Sequence, residues 1–284
     1  MIEVSLQVRT ALPQDQHQIA NLMFFESHVH RHLDWHAPLE WLGSPFYWVV
    51  EDSVGSILAA LACPQEPPGV AWVRLFAHAR QMPLEDAWGE LWKVARNELA
   101  TQDRITVALI VMHGWLCDVL GRNGFDHTLD VIMLERKGRD VPERSIPEGV
   151  TIRQMMPEDL PTVAALDAAA FKPLWQNPLD ALEKALSQAI SATIVEDAQG
   201  VVGYQISTQN PLGAHLARLA VRPDAHGRGI GSLIVADLIH RLKSKDIARL
   251  TVNTQSDNLA SLALYRKMGF VTTGEKFPVY CYSV

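Results

Sequence analysis

The sequence predicts an α/β protein of two tandem domains, each a mixed α+β sheet packed with helices. Three observations predict it. Segments with strand alternation are interleaved with segments of helical spacing along the chain. The length of 284 residues suits two ordinary domains of roughly 100–200 residues each. The chain is also written twice. VRTALPQDQHQIANLM from Val8 resembles IRQMMPEDLPTVAALD from Ile152, an offset of 144 (153 − 9, Arg153 on Arg9). Val73–Leu75 (VRL) falls on Ala217–Leu219 (ARL) at the same offset. Thr106–Val107, Gly124–Phe125 and Val50–Asp52 recur 145 positions later, as Thr251–Val252, Gly269–Phe270 and Val195–Asp197. Ordered matches at a near-constant offset mark a duplication, and half the chain is too long a period for a solenoid.

The expected boundary is KGRDVPERSIPEG, Lys137–Gly149, which is rich in charge, Pro and Gly and lacks either hydrophobic period. It gives a first domain at 1–137, a linker at 138–149 and a second domain at 150–284. In the second domain Val150–Arg153 is a short strand and Asp159–Phe171 a helix. Leu179–Ile190 is a second helix, opened by Asn177–Pro178. Ala192–Glu196 and Val201–Ser207 are strands joined by a turn at Asp197–Gly200. His215–Val221 is a further strand. Ile230, Leu233, Ile234, Leu238 and Leu242 repeat at helical intervals, and Arg249–Thr254 is β-branched and strand-like. Asn258–Met268 is a helix stopped by Gly269, a natural C-cap. Val271–Thr273 and Val279–Tyr282 close the domain as two short strands.

Composition narrows the function classes. A formal net charge of −7 disfavours nucleic acid as a partner, because such surfaces concentrate basic residues. No stretch approaches the ~18 consecutive apolar residues of a membrane helix, and the N-terminus lacks the basic-then-apolar pattern of a secretory signal. Cys63, Cys117 and Cys281 are scattered without metal-type spacing. They read as free thiols of a cytoplasmic protein.

The stretch VRPDAHGRGIGSLIVADLI, Val221–Ile239, places Gly227, Gly229 and Gly231 just ahead of an apolar helix. Glycines let a ligand approach the main chain, and the amides and dipole of a helix N-terminus attract phosphate. Arg222, His226 and Arg228 flank the turn. The Gly-Lys-Ser/Thr of a Walker loop is missing. The dinucleotide fingerprint fails because its sixth position holds Ser232.

LARLAVRPDAHGRGIGSLIVADLI resembles the acetyl-CoA-binding motif of the GNAT N-acetyltransferase superfamily, roughly V-x-P-x-x-(Gln/Arg)-x-x-G-x-(Gly/Ala). Val221, Pro223, Gly229 and Gly231 fit it, and His226 replaces the usual Gln or Arg. NLASLALYRKMGF, Asn258–Phe270, is similar to the family's N-x-x-A-x-x-L-Y-x-x-x-G-F block, with Ser261 in place of Ala. The resemblance covers about Val150–Val284. It implies a sheet whose strands His215–Val221 and Arg249–Thr254 splay apart around the cosubstrate, acetyl-CoA. It also implies cofactor contacts from Leu219, Ala220, Val221, His226, Gly227, Arg228, Gly229, Ile230, Gly231, Ser232 and Asn258.

The implied reaction is attack of a neutral amine on a thioester. It needs an oxyanion donor, a proton for the leaving thiolate and a deprotonated nucleophile. In relatives a fourth-strand amide is the donor, here Val221 or its neighbour. Tyr265 takes the place of the acid, since a phenol of pKa ~10 is protonated at neutral pH. The base is less defined. Asn253 stands where many relatives carry a carboxylate. His215 acting through water is one candidate and Glu196 a weaker one, and an amine already neutral in solution needs neither.

The first copy reads as emptied. HARQMPLEDAWGELW, His78–Trp92, keeps one glycine, Gly89, and puts Glu85, Asp86 and Glu90 where phosphates would sit. At an offset of 145, Tyr265 falls on Leu120 and Asn258 on His113. A folded domain without acetyl-CoA is expected. His28, His30, His32 and His36 do not follow a ligand spacing, so HVHRHLDWHAPLEWL is expected to be a mixed amphipathic segment or an interdomain surface, and no metal is expected. The resulting expectation is an acetyl-CoA-dependent N-acetyltransferase whose acceptor is a small-molecule or peptide amine. The alternative is a non-catalytic acyl-CoA-binding or regulatory module.

Overall fold

The computed structural model describes residues 6–138, 140–143 and 146–284. The chain forms two compact units, Met1–Thr128 with Pro278–Val284, and Leu129–Phe277. These bounds differ from the expected ones. Residues 138–149 lie wholly within the second unit, and the chain passes between units inside two strands, at Thr128/Leu129 and Phe277/Pro278. A crossing in mid-strand leaves no break in composition for the sequence to show.

The first unit contains β1 (Gln7–Thr10), α1 (Gln16–Phe25), β2 (Val29–Arg31), β3 (Tyr47–Glu51), β4 (Ile57–Ala62), β5 (Val70–Trp72), β6 (Leu75–His78), α2 (Leu84–Leu99), β7 (Thr106–Ile110) and α3 (Trp115–Arg122). One sheet has the order β1-β3-β4-β6-β2. β5 pairs parallel with β7, and Val279–Ser283 at the chain's end pairs antiparallel with β7 on its other side. The α2 residues Trp88, Leu91, Trp92, Ala95 and Leu99 recur at helical spacing and are buried, so the helix lays one apolar stripe on the core.

The second unit begins within β8 (Asp126–Lys137). It continues through β9 (Thr151–Gln154), α4 (Leu160–Ala170), α5 (Leu179–Ser187), β10 (Ser191–Asp197), β11 (Gly200–Asn210), β12 (Gly213–Val221), α6 (Ile230–Ser244), β13 (Arg249–Gln255), α7 (Leu259–Lys267) and part of β14 (Val271–Ser283). Its strands run β14-β8-β13-β12-β11-β10-β9. The two short strands expected at the C-terminus are one continuous strand, β14.

The duplication reappears in three dimensions. Arg9 pairs with Asp15 at 2.7 Å and with Glu51, and Arg153 pairs with Asp159 at 2.8 Å and Glu196 at 2.9 Å. Asp15 also accepts the Leu12 amide at 2.8 Å, and Asp159 the Met156 amide at 2.7 Å. The same three-residue clamp therefore fixes the first strand and first helix of each copy.

Candidate active site

β12 and β13 run parallel but pair only at Ala214↔Leu250, His215↔Thr251 and Leu216↔Val252. Beyond Leu216 they part. β12 continues to Val221 against β11, and β13 continues to Gln255 against β8. The β13-facing edge of Ala217–Val221 therefore carries no strand among the described residues. The Arg222 amide donates to the Val202 carbonyl at 2.8 Å. By the alternation of a ladder, Val221 and Leu219 turn their N–H and C=O groups the other way, into the opening. The Val221 carbonyl accepts the His226 Nε2–H at 3.0 Å, which leaves the Leu219 and Val221 amides facing the cleft.

The glycine turn follows directly. Gly227 and Gly229 have φ of +77° and +81°, a left-handed conformation that side chains resist. Gly229 is the N-cap of α6, no side chain caps the helix, and its first backbone bond is Leu233 N–H to the Gly229 carbonyl at 3.0 Å. The amides of Ile230, Gly231 and Ser232 thus have no partner in the helix and point out with its dipole. Gly231 serves packing as well, since a Cβ there would lie 3.1 Å from Leu264 of α7. The expected cationic flank is partly neutralised. Arg228 pairs with Asp197 at 2.7 Å and Arg222 with Asp224 at 2.6 Å.

Tyr265 is buried on α7 beside Phe270, with ring centroids 5.5 Å apart. Burial pushes its phenol up, so the hydroxyl stays protonated and able to donate. His215 lies at the last paired rungs, its Nδ1 2.8 Å from Thr251 Oγ1. Burial lowers its pKa and a hydrogen bond with Asn253 partly offsets this, leaving the ring neutral and able to accept a proton. Asn258 opens α7. Its side chain caps α7 by accepting the Ser261 amide at 3.1 Å. Glu196 is bound to Arg153, which removes it from the candidate bases.

Residues 160–270 match the model of the Acetyltransferase (GNAT) family. That stretch is similar to the GNAT acetyltransferases. A mycothiol acetyltransferase of Streptomyces coelicolor is 28% identical over 168 residues, 55% of this chain and 54% of the relative. The chain therefore spans about half the length of that protein. Peptidyl-lysine N-acetyltransferase YjaB of Salmonella typhimurium is 28% identical over 117 residues, 36% of this chain and 74% of YjaB. A tandem GNAT protein from the clavulanic acid biosynthesis pathway shares the fold over 98% of both chains, with a TM-score of 0.65 at 15% identity. No helix among the described residues is long and apolar enough to cross a membrane.

Against the second copy, the first differs at one place on the matching strand edge. Leu75, Phe76 and Ala77 stand 144 positions before Leu219, Ala220 and Val221. Their free edge is filled by the chain itself, because β2 pairs antiparallel as Arg31↔Leu75, His30↔Phe76 and Val29↔Ala77. The His32 amide adds a bond to the Arg74 carbonyl at 3.0 Å. Val29–Arg31 of the histidine-rich segment is therefore an inserted strand, which the sequence expectation did not contain. Its signal in the sequence was the alternation of His28, His30 and His32 with Val29 and Arg31. The histidines go to separate partners. His28 stacks on His78, His32 on Trp72 and His36 against Trp41. Asp34, His36 and Glu66 bring donor atoms within 4.8 Å of one another, but both carboxylates already pair with Arg74.

Insertion buries His30, whose Nε2–H donates to the Val73 carbonyl at 3.1 Å. Burial lowers its pKa to about 4. The unfolded chain, with an ordinary pKa near ~6.5, takes up a proton first as pH falls. The first unit is then at full stability above that value and loses about 2 kcal/mol by pH 5 from this residue alone. Seven of the eight tryptophans lie between Trp35 and Trp115, so urea unfolding followed by fluorescence reads this unit. His30→Gln is expected to flatten its pH dependence.

The sequence reading missed Asp167, Tyr204 and Arg218. Asp167 and Tyr204 are fully buried, and Asp167 bonds to both of the others across separations of 37 and 51 residues.

Proposed function

We propose that the second unit binds acetyl-CoA between β12 and β13 and transfers its acetyl group to a primary amine of a small-molecule or peptide acceptor. The observation that carries this reading is the parting of the two strands beside outward-facing amides on both β12 and the start of α6. Amides of Ile230, Gly231 and Ser232 hold the diphosphate, helped by the turn at Gly227–Gly229. The edge of Leu219–Val221 takes the pantetheine arm as a strand edge takes a peptide.

The chemistry follows from charge. As the amine nitrogen bonds to the thioester carbon, the carbonyl oxygen becomes an oxyanion, and the Leu219 or Val221 amide donates to it. When the C–S bond breaks, the Tyr265 hydroxyl supplies the proton that the thiolate takes. The proton lost by the amine leaves through water, with His215 as the neutral acceptor closest to the parting of the strands. The first unit is a folded copy without coenzyme, because β2 already occupies the matching edge. The three free cysteines suit a reducing cytoplasm.

The test is thiol release from acetyl-CoA with amine probes, namely the unacetylated amine form of mycothiol, a lysine peptide and a panel of simple amines. Amine-dependent release of coenzyme thiol is expected. Coenzyme binding without release across the panel would instead favour a non-catalytic acyl-CoA-binding module.

A further inference from the structure

Arg218 occupies a singular place on β12, between Leu216, the last residue paired with β13, and Leu219, the first with an amide free in the cleft. Its guanidinium grips both oxygens of Asp167, Nε and Nη2 each at 2.7 Å. Nη2 also donates to the Trp175 carbonyl at 2.7 Å, and the plane lies 3.6 Å from the Phe171 ring centroid. Asp167 in turn accepts the Asn177 amide at 2.8 Å and the Tyr204 hydroxyl. One buried ion pair therefore ties down both ends of Phe171–Asn177, the connector from α4 to α5.

The faces of the sheet give this connector a role. A Cβ on Gly203 would meet Ile230 and Ile234, so α6 and its glycine turn cover that face. The next residue, Tyr204, points the other way, to Asp167 of α4. With the diphosphate on the α6 side in the transfer reading, the α4 side, where Phe171–Asn177 lies, is the face left open to an amine. The first copy repeats the device. Arg74, 144 positions before Arg218, pairs with Asp34 at 2.8 Å and Glu66 at 3.2 Å and lies 5.3 Å from the Trp41 ring centroid. In each copy an arginine at the parting of the strands fixes a segment that follows the first helix. In the first copy that segment continues the inserted strand.

We propose that Arg218 and Asp167 are positioning residues that hold Phe171–Asn177 as a fixed wall of the amine-acceptor site, setting acceptor affinity without contacting the coenzyme. The inference rests on the acetyl-transfer reading above. A buried ion pair is no more stabilising than a well-packed apolar pair. What it adds is direction, through a bidentate grip with fixed angles.

The test uses the full chain with Asp167→Asn, Arg218→Lys, Arg218→Met and the apolar double variant Asp167→Leu with Arg218→Met. The probes are acetyl-CoA by calorimetry and the mycothiol amine or lysine peptide by steady-state kinetics. At least a tenfold rise in acceptor KM is expected in Asp167→Asn and Arg218→Met, with acetyl-CoA affinity within twofold and Arg218→Lys intermediate. The double variant is expected to recover thermal stability but not acceptor KM, a split that a purely structural pair does not produce. Unchanged KM, or KM restored by the double variant, overturns the proposal. If the wild-type chain acetylates neither probe, the transfer reading fails by itself. Hydrogen exchange then decides the clamp: the Asn177 amide is expected to exchange at least tenfold faster in Asp167→Asn, and unchanged exchange refutes it.

Discussion

Gly229→Val is expected to weaken acetyl-CoA binding by at least a hundredfold while the protein stays folded. At φ +81° a β-branched residue costs about 1–3 kcal/mol if the turn is kept, so the turn shifts instead. The shift rotates the amides of Ile230, Gly231 and Ser232 that follow it. Hydrogen bonds to charged groups are worth roughly 1.5–3 kcal/mol each, so losing two removes about 3–6 kcal/mol, a factor of ~10² to 10⁴. Nothing lies within 4 Å of the added Cβ, so the core is not invaded and melting should fall only modestly. Calorimetry with acetyl-CoA and a thermal melt separate the two effects. Retained affinity would mean that the diphosphate is held elsewhere.

Tyr265→Phe is expected to lower kcat by about 10²- to 10³-fold, within the range for loss of a general acid. The coenzyme Kd should stay within about twofold. The substitution keeps the ring that packs against Phe270 and removes only the oxygen. Because burial raises the phenol's pKa, the wild-type rate should show no basic limb from this group across neutral pH. Equal losses in kcat and affinity would instead assign Tyr265 to the helix core.

What was legible in the sequence was local. The positive φ at Gly227 and Gly229 and the start of α6 at Ile230 are one turn's chemistry, written in consecutive residues. The Arg9 and Arg153 clamps were visible as a repeated spacing, though not as ion pairs. What the sequence concealed was pairing across distance. β2 on β6 joins Val29–Arg31 to residues more than forty positions away, a partner that local alternation does not name. The Asp167–Arg218 pair was hidden because a charged residue on a helix ordinarily marks a solvated face. Asp167 breaks that rule only because Arg218 meets it. The continuity of β14 over Val271–Ser283 was hidden for the same reason. Its last residues, Val279–Ser283, pair with β7, more than 160 positions earlier in the chain.

The most direct measurement is amide hydrogen exchange of the full chain with and without saturating acetyl-CoA. The account predicts new protection at Leu219–Val221 and Ile230–Ser232 and none at Leu75–Ala77, which β2 already covers. Protection appearing at Leu75–Ala77, or absent from Ile230–Ser232, would contradict it.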